Sequence, residues 1–197
     1  MKIFDISQEV FSSAVYPGDP SPKREVLAEI EQGAPCNLSA FSMCAHNGTH
    51  LDAPYHFLSS GARVDDIPLS HTVGYAFVKT LSGEIDAAVA EVLLLEAKRY
   101  GGDAERRILV KGNATLTLSA AQVLAREKIL LYGNESQTVG PEGAPMAVHK
   151  ALLSRGTVLL EGVRLSHVPD GVYLLCAAPL NLSGADGAPV RAVLIEL

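Results

Sequence analysis

Short apolar runs bounded by glycine, proline and polar residues recur along the chain and predict strands. Residues 37–44 divide into two alternating sets of side chains, as expected of a strand with two different faces. The apolar runs at residues 158–160 and 173–175 are continuous, which predicts burial on both faces. We predict strands at residues 2–6, 24–30, 37–44, 75–81, 107–111, 129–132, 157–161, 172–177 and 191–196.

Three further segments have helical character. Residues 86–100 are rich in Ala, Leu and Glu and end at a pair of glycines. Ser119 is predicted to cap a second helix that runs to about Arg126. A third helix is predicted at residues 146–154. Strands outnumber helices without a clean alternation, and no repeat or linker divides the chain, so we predict one mixed α/β or α+β domain over residues 1–197.

Composition and charge narrow the possible functions. The formal net charge is -6, and no cluster of Lys and Arg suggests a nucleic-acid surface. No apolar run reaches the roughly 20 residues of a membrane span, and Asp5 comes too early for a signal peptide. Cys36, Cys44 and Cys176 are odd in number and show no paired spacing. We therefore predict a protein without a disulfide framework, in the cytoplasm, with no nucleic-acid or membrane partner.

Candidate chemistry is concentrated between His46 and His56. Three of the six histidines fall in this segment, with Asp52 among them. Imidazole nitrogens and a carboxylate oxygen suit zinc or a similar divalent ion, and three ligands leave a position open for water. Gly48 allows the backbone to bend between His46 and His50. An isolated histidine is more often a structural residue than a ligand, but this density of histidines favours a metal site, in a segment that we predict to be a loop.

The arrangement His-x-Gly-Thr-His-x-Asp-x-Pro-x-His resembles the signature of the cyclase family, whose best-known members are bacterial kynurenine formamidases. The aromatic-Pro-Gly-Asp turn that begins at Tyr16 resembles the N-terminal turn of that family. His149 and Glu161, twelve residues apart, resemble its second pair of metal ligands. The resemblance spans nearly the whole chain, and its seven fixed positions are His46, Gly48, Thr49, His50, Asp52, Pro54 and His56.

This resemblance implies a binuclear metal site, a swivelling β/β/α fold and a homodimer or larger homo-oligomer. The metals implied are two zinc ions, with manganese as the alternative. His56 is implied to be the general acid and base rather than a permanent ligand. From the residues alone, a histidine in a helix and a glutamate at a strand end would be taken as structural. The ligands implied are His46, His50 and Asp52 for one ion, and Asp52, His149 and Glu161 for the other.

The reaction implied is metal-dependent hydrolysis of a small amide, most specifically of N-formylkynurenine to kynurenine and formate. Tyr16 is implied to line the substrate pocket, at a position where these enzymes usually carry Trp; this chain has no Trp. The loop at residues 133–140 also differs, because the family usually ends it with an aspartate and this chain has Gly140 there. These departures leave other substrates open: a cyclic amide or lactone, as in isatin hydrolases. A non-catalytic metal-binding relative is a further alternative, which the complete set of ligands disfavours.

Overall fold

A nine-stranded mixed sheet organises the chain in the computed structural model, which describes residues 1–196. Leu197, the last residue of the predicted domain, lies outside the described residues. The helices are α1 (Ala87–Lys98), α2 (Leu118–Arg126) and α3 (Met146–Leu153). The strands are β1 (Lys2–Asp5), β2 (Lys23–Ala28), β3 (Leu38–Ser42), β4 (His50–Asp52), β5 (Val73–Thr80), β6 (Gly83–Ile85), β7 (Arg107–Lys111), β8 (Ala114–Leu116), β9 (Leu131–Asn134), β10 (Val158–Glu161), β11 (Gly171–Cys176), β12 (Gly187–Pro189) and β13 (Val193–Glu196).

The order of strands in the large sheet is β1-β13-β11-β5-β7-β9-β10-β4-β12. Strands β5, β7, β9 and β10 are parallel to one another, and the strands on both sides of them pair antiparallel. Two small sheets accompany it: the antiparallel pair β2–β3 and the parallel pair β6–β8. The mixed α/β prediction is therefore confirmed.

Both faces of the central strands are buried. One face, which includes Ile108 and Leu159, packs in a cluster with residues of α1, α2 and α3. The other face, which includes Leu109 and Leu160, packs in a second cluster with residues of β1 and β13. The continuous run at residues 158–160 is fully buried, as predicted. The run at residues 173–175 is not, because Leu174 is partly exposed, as is the facing Ile195 of β13.

Local capping explains where two helices begin. The Asp86 carboxylate accepts a hydrogen bond from the backbone N–H of Val89 at 2.9 Å and starts α1. The prediction that Ser119 caps α2 is wrong. Thr117 is the cap, since its backbone is extended and its hydroxyl oxygen accepts from the backbone N–H of Ala120 at 3.3 Å. Ser119 already lies inside the helix.

The segment 46–56, predicted to be a loop, contains β4 and a single 3₁₀ turn at Pro54–His56. Strand β4 has only three residues, and Leu51 is its only apolar one, so no local hydrophobic pattern could identify it. Its pairing with β10 and β12 is what makes it a strand. Within residues 1–196, no helix combines the length and apolar character needed to cross a membrane.

Candidate metal centre

Strand β4 places two of the predicted ligands on the same face of the sheet. Side chains alternate along a strand, so His50 and Asp52 face one side while Leu51 enters the core on the other. Antiparallel pairing sets His50 opposite Glu161, the last residue of β10. Helix α3 connects β9 to the parallel strand β10, and His149 is its fourth residue. The site therefore lies at the carboxyl ends of parallel strands, where open α/β sheets commonly bind ligands.

Two buried carboxylates hold this cluster together. Asp52 lies 2.9 Å from His46 Nδ1, 3.3 Å from His50 Nε2 and 3.7 Å from His149 Nε2. Glu161 lies 3.3 Å from His50 Nε2 and 3.1 Å from His149 Nε2. All but His46 are nearly inaccessible to solvent. Burying this many ionisable groups requires that opposite charges meet within the cluster.

The backbone fixes which nitrogen of each buried imidazole carries the proton. Carbonyl oxygens only accept hydrogen bonds, so His50 Nδ1 donates to the carbonyl of Gly48 at 3.1 Å. His149 Nδ1 donates in the same way to the carbonyl of Pro145 at 2.9 Å. In the neutral imidazole the lone pair is then on Nε2, which faces carboxylate oxygens in both cases. Two electron-rich groups that face each other across 3 Å favour a cation between them.

The pKa values of the cluster follow from the same contacts. Burial by itself lowers the pKa of His50, but hydrogen bonds to Asp52 and Glu161 outweigh it and raise the pKa to about 10. Burial raises the pKa of Asp52, yet the hydrogen bonds from His46 and His50 hold it well below its usual range. Positive charge is thus strongly favoured between these carboxylates, and a divalent cation would supply it while displacing protons.

Asp186 is a site residue that the sequence analysis missed. Its Oδ2 atom lies 2.9 Å from His46 Nε2 and 2.9 Å from His56 Nδ1. Asp186 directly precedes β12. The pairing of β12 with β4 brings Asp186 to His56, although the two residues are 130 positions apart in the sequence. Gly187 beside it leaves room for the His46 ring, since a Cβ there would lie 2.5 Å from His46 Cε1. In the sequence, Asp186 is marked only by the glycines around it, and such a segment does not by itself indicate a functional site.

The seven residues expected to bind metal, to line the substrate pocket or to transfer protons all line one cavity of about 250 Å³. Gly48 between the first two histidines has φ +66°, the left-handed conformation that glycine adopts most easily. Phe57, Gln137 and Thr138 add side chains to the same cavity. The seven residues are Tyr16, His46, His50, Asp52, His56, His149 and Glu161.

The donor atoms fit metal binding. His46, His50 and Asp52 form one group whose ligand atoms lie within 4.8 Å of one another, and Asp52, His149 and Glu161 form a second. The two groups share Asp52, so they could hold two neighbouring ions. His46, His56 and Asp186 make a third group of the same kind, although its members are more exposed. Imidazole and carboxylate donors suit zinc and accept manganese.

Known proteins resemble this chain in both sequence and fold. Residues 4–141 match the model of the family described as "Putative cyclase". The kynurenine formamidase of Salinibacter ruber is 36% identical over 209 residues, covering 98% of this chain and 97% of the relative. That of Bacillus cytotoxicus is 34% identical over 207 residues, with coverage of 98% and 97%.

Solved structures show the same fold. A protein described as a "predicted metal-dependent hydrolase" from Bacillus stearothermophilus has a TM-score of 0.78 at 27% identity, covering 98% of this chain and 97% of that one. Isatin hydrolase A from Labrenzia aggregata has a TM-score of 0.80 at 22% identity, with coverage of 98% and 93%. The expected fold type is confirmed.

Proposed function

The chain belongs to the cyclase family and is a hydrolase of carbon–nitrogen bonds other than peptide bonds, and on that premise we propose that its substrate is an aryl formamide. The most specific candidate is N-formylkynurenine, cleaved to kynurenine and formate. Relatives named kynurenine formamidase at 34–36% identity over nearly the full chain support this substrate. The observation that carries the chemistry is the pair of buried imidazole nitrogens, His50 Nε2 and His149 Nε2, facing carboxylates beside His56.

The proposed cofactor is a pair of divalent ions, zinc with manganese as the alternative. His46, His50 and Asp52 would hold one ion, and Asp52, His149 and Glu161 the other. When bound, such ions activate water and polarise the substrate carbonyl. The protein's part is to fix the imidazoles through the carbonyls of Gly48 and Pro145 and to exclude solvent from the carboxylates.

His56 is proposed to move the proton. Its side chain is 28% exposed, so it is accessible to substrate and water at the cavity. With Nδ1 bound to Asp186, Nε2 is free to take a proton from the attacking water. The same proton then goes to the leaving nitrogen as the C–N bond breaks, which yields the free amine and the carboxylic acid.

The function is tested by turnover of N-formylkynurenine. We expect purified protein to hydrolyse it, to lose this activity when metal is stripped by a chelator, and to regain it when zinc or manganese is returned. Chelator followed by buffer without metal is the control. Fully metal-loaded protein that fails to hydrolyse N-formylkynurenine would contradict the assignment, and isatin and other cyclic amides or lactones would be tested next.

Replacing Asp186 with Asn is expected to lower kcat by about 10–100-fold without removing the fold, because the amide removes the negative charge 2.9 Å from His56 Nδ1. Steady-state kinetics and the metal content per chain would be measured together. Glu91→Gln, which removes a carboxylate from an exposed ion pair with Arg126 on the helices, is the matched control. An unchanged kcat for Asp186→Asn would exclude a role for the charge of Asp186.

The predicted homodimer or larger homo-oligomer and the cytoplasmic location stay predictions. The β2–β3 pair supports an assembly, because a two-stranded sheet is marginally stable by itself. Its apolar side chains Val26, Leu27, Leu38 and Phe41 are 49–61% exposed. A second copy of the chain that covered them would stabilise the pair.

A further inference from the structure

A second, larger cavity of about 590 Å³ adjoins the metal cavity. We call it the side chamber and define it by Tyr16, Pro17, Gln137, Thr138, Glu142 and Arg164. Tyr16, Gln137 and Thr138 also line the metal cavity, so the two spaces share a wall. The two cavities are therefore immediate neighbours on the same side of the metal cluster.

Arg164 contributes an exposed guanidinium to the lining of this chamber, which also includes Glu135 and Glu142. Its Nη1 atom donates to the backbone carbonyls of Val163 at 3.1 Å, Glu135 at 3.3 Å and Gly162 at 3.5 Å. These bonds anchor the guanidinium, yet across residues 1–196 it forms no ion pair with a carboxylate. The Nε and Nη2 groups remain available, and this fork matches a carboxylate in a bidentate manner.

Gln137, which lines both cavities, has a hydrogen-bond acceptor without a partner within the residues that the structure describes. Its Nε2 atom donates to the carbonyl of Gly48 at 3.4 Å. Its Oε1 atom is buried and has no hydrogen-bond partner in the described part of the chain. An unsatisfied buried acceptor is costly, and an N–H group of a bound ligand would satisfy it. Glu142, which also lines the chamber, forms no ion pair among residues 1–196.

We propose that the side chamber binds the end of the amide substrate distant from the scissile bond, and that Arg164 recognises a carboxylate on that end. N-formylkynurenine carries an amino-acid group at that end, so its carboxylate would meet Arg164 and its ammonium would meet Glu142. A small shift of the Gln137 side chain would bring its buried Oε1 atom within reach of a substrate N–H between the two spaces. This inference rests on the proposed formamidase function and adds the residue that selects among formamides.

The test compares two substrates that differ only in the tail: N-formylkynurenine and 2-formamidoacetophenone, the same aryl formamide without the amino-acid group. For Arg164→Gln we expect KM for N-formylkynurenine to rise about tenfold with little change in kcat, as for loss of one charged hydrogen bond. Kinetics on 2-formamidoacetophenone are expected to stay unchanged, which also shows that the variant is folded and metal-loaded. Arg164→Lys should recover part of the affinity, because it keeps the charge without the fork.

Arg155→Gln is the matched control, since Arg155 is exposed beyond the end of α3 and lines neither the metal cavity nor the side chamber. An equal effect of Arg164→Gln on both substrates, or no effect on either, would overturn the proposed recognition while the formamidase function stands. Wild-type hydrolysis of the tailless compound alone would overturn both the recognition by Arg164 and the assignment of N-formylkynurenine, and would leave only hydrolysis of aryl formamides. Hydrolysis of neither compound by metal-loaded protein would overturn the proposed function and this inference with it.

Discussion

Replacing His56 with alanine is expected to reduce kcat by about 10²–10⁴-fold while the metal content stays unchanged. The loss corresponds to a missing group for proton transfer between water and the leaving nitrogen. Metal is expected to remain because the two buried groups of ligand atoms that share Asp52 do not include His56. His56 contacts Asp186 instead, at a more exposed position of the cavity.

The measurement is kcat on N-formylkynurenine together with metal per chain by elemental analysis. His167→Ala is the control, since it removes an exposed histidine that does not line the cavity. His56 also belongs to a group with His46 and Asp186 that could bind a metal. If metal and activity are lost together, His56 is a metal ligand. If turnover is fully retained, His56 is neither a ligand nor the proton-transfer group.

The metal cluster could be located from the sequence because three of its five proposed ligands lie close together in the chain. His46, His50 and Asp52 lie within seven residues, and β4 projects His50 and Asp52 to one face because side chains alternate along a strand. His149 and Glu161 were identified only through the family resemblance. Their proximity depends on helix α3 and strand β10 being adjacent in the fold, which no local pattern encodes.

Asp186 and Arg164 show where sequence reasoning ends. Asp186 reaches His56 because β12 pairs with β4, and both strands are only three residues long, too short for an apolar pattern. Arg164 acquires its position through carbonyls of two segments that leave the ends of β9 and β10. By contrast, the core strands β7 and β10 were predictable, since burial on both faces produces continuous apolar runs.

Asp52→Asn is expected to remove both metal ions and to lower kcat/KM by about 10³-fold or more, since bound metal supplies several kcal/mol of transition-state stabilisation. The substitution keeps the shape of the side chain and removes its charge. Asp52 is the one residue common to both buried groups of ligand atoms, and its oxygens face His46, His50 and His149. No other residue of the cluster contacts all three of these imidazoles in the part of the chain that the structure describes.

Metal per chain and kcat/KM would be measured after dialysis against zinc and again against manganese. Asp5→Asn is the matched control, because Asp5 lies in an exposed ion pair with Arg191, of a kind that contributes about 0–1 kcal/mol to stability. Thermal unfolding would verify that Asp52→Asn is folded. Because Asp52 would be a ligand of both proposed ions, retention of one ion with substantial activity would restrict Asp52 to the other ion, and retention of both would contradict its role as a ligand.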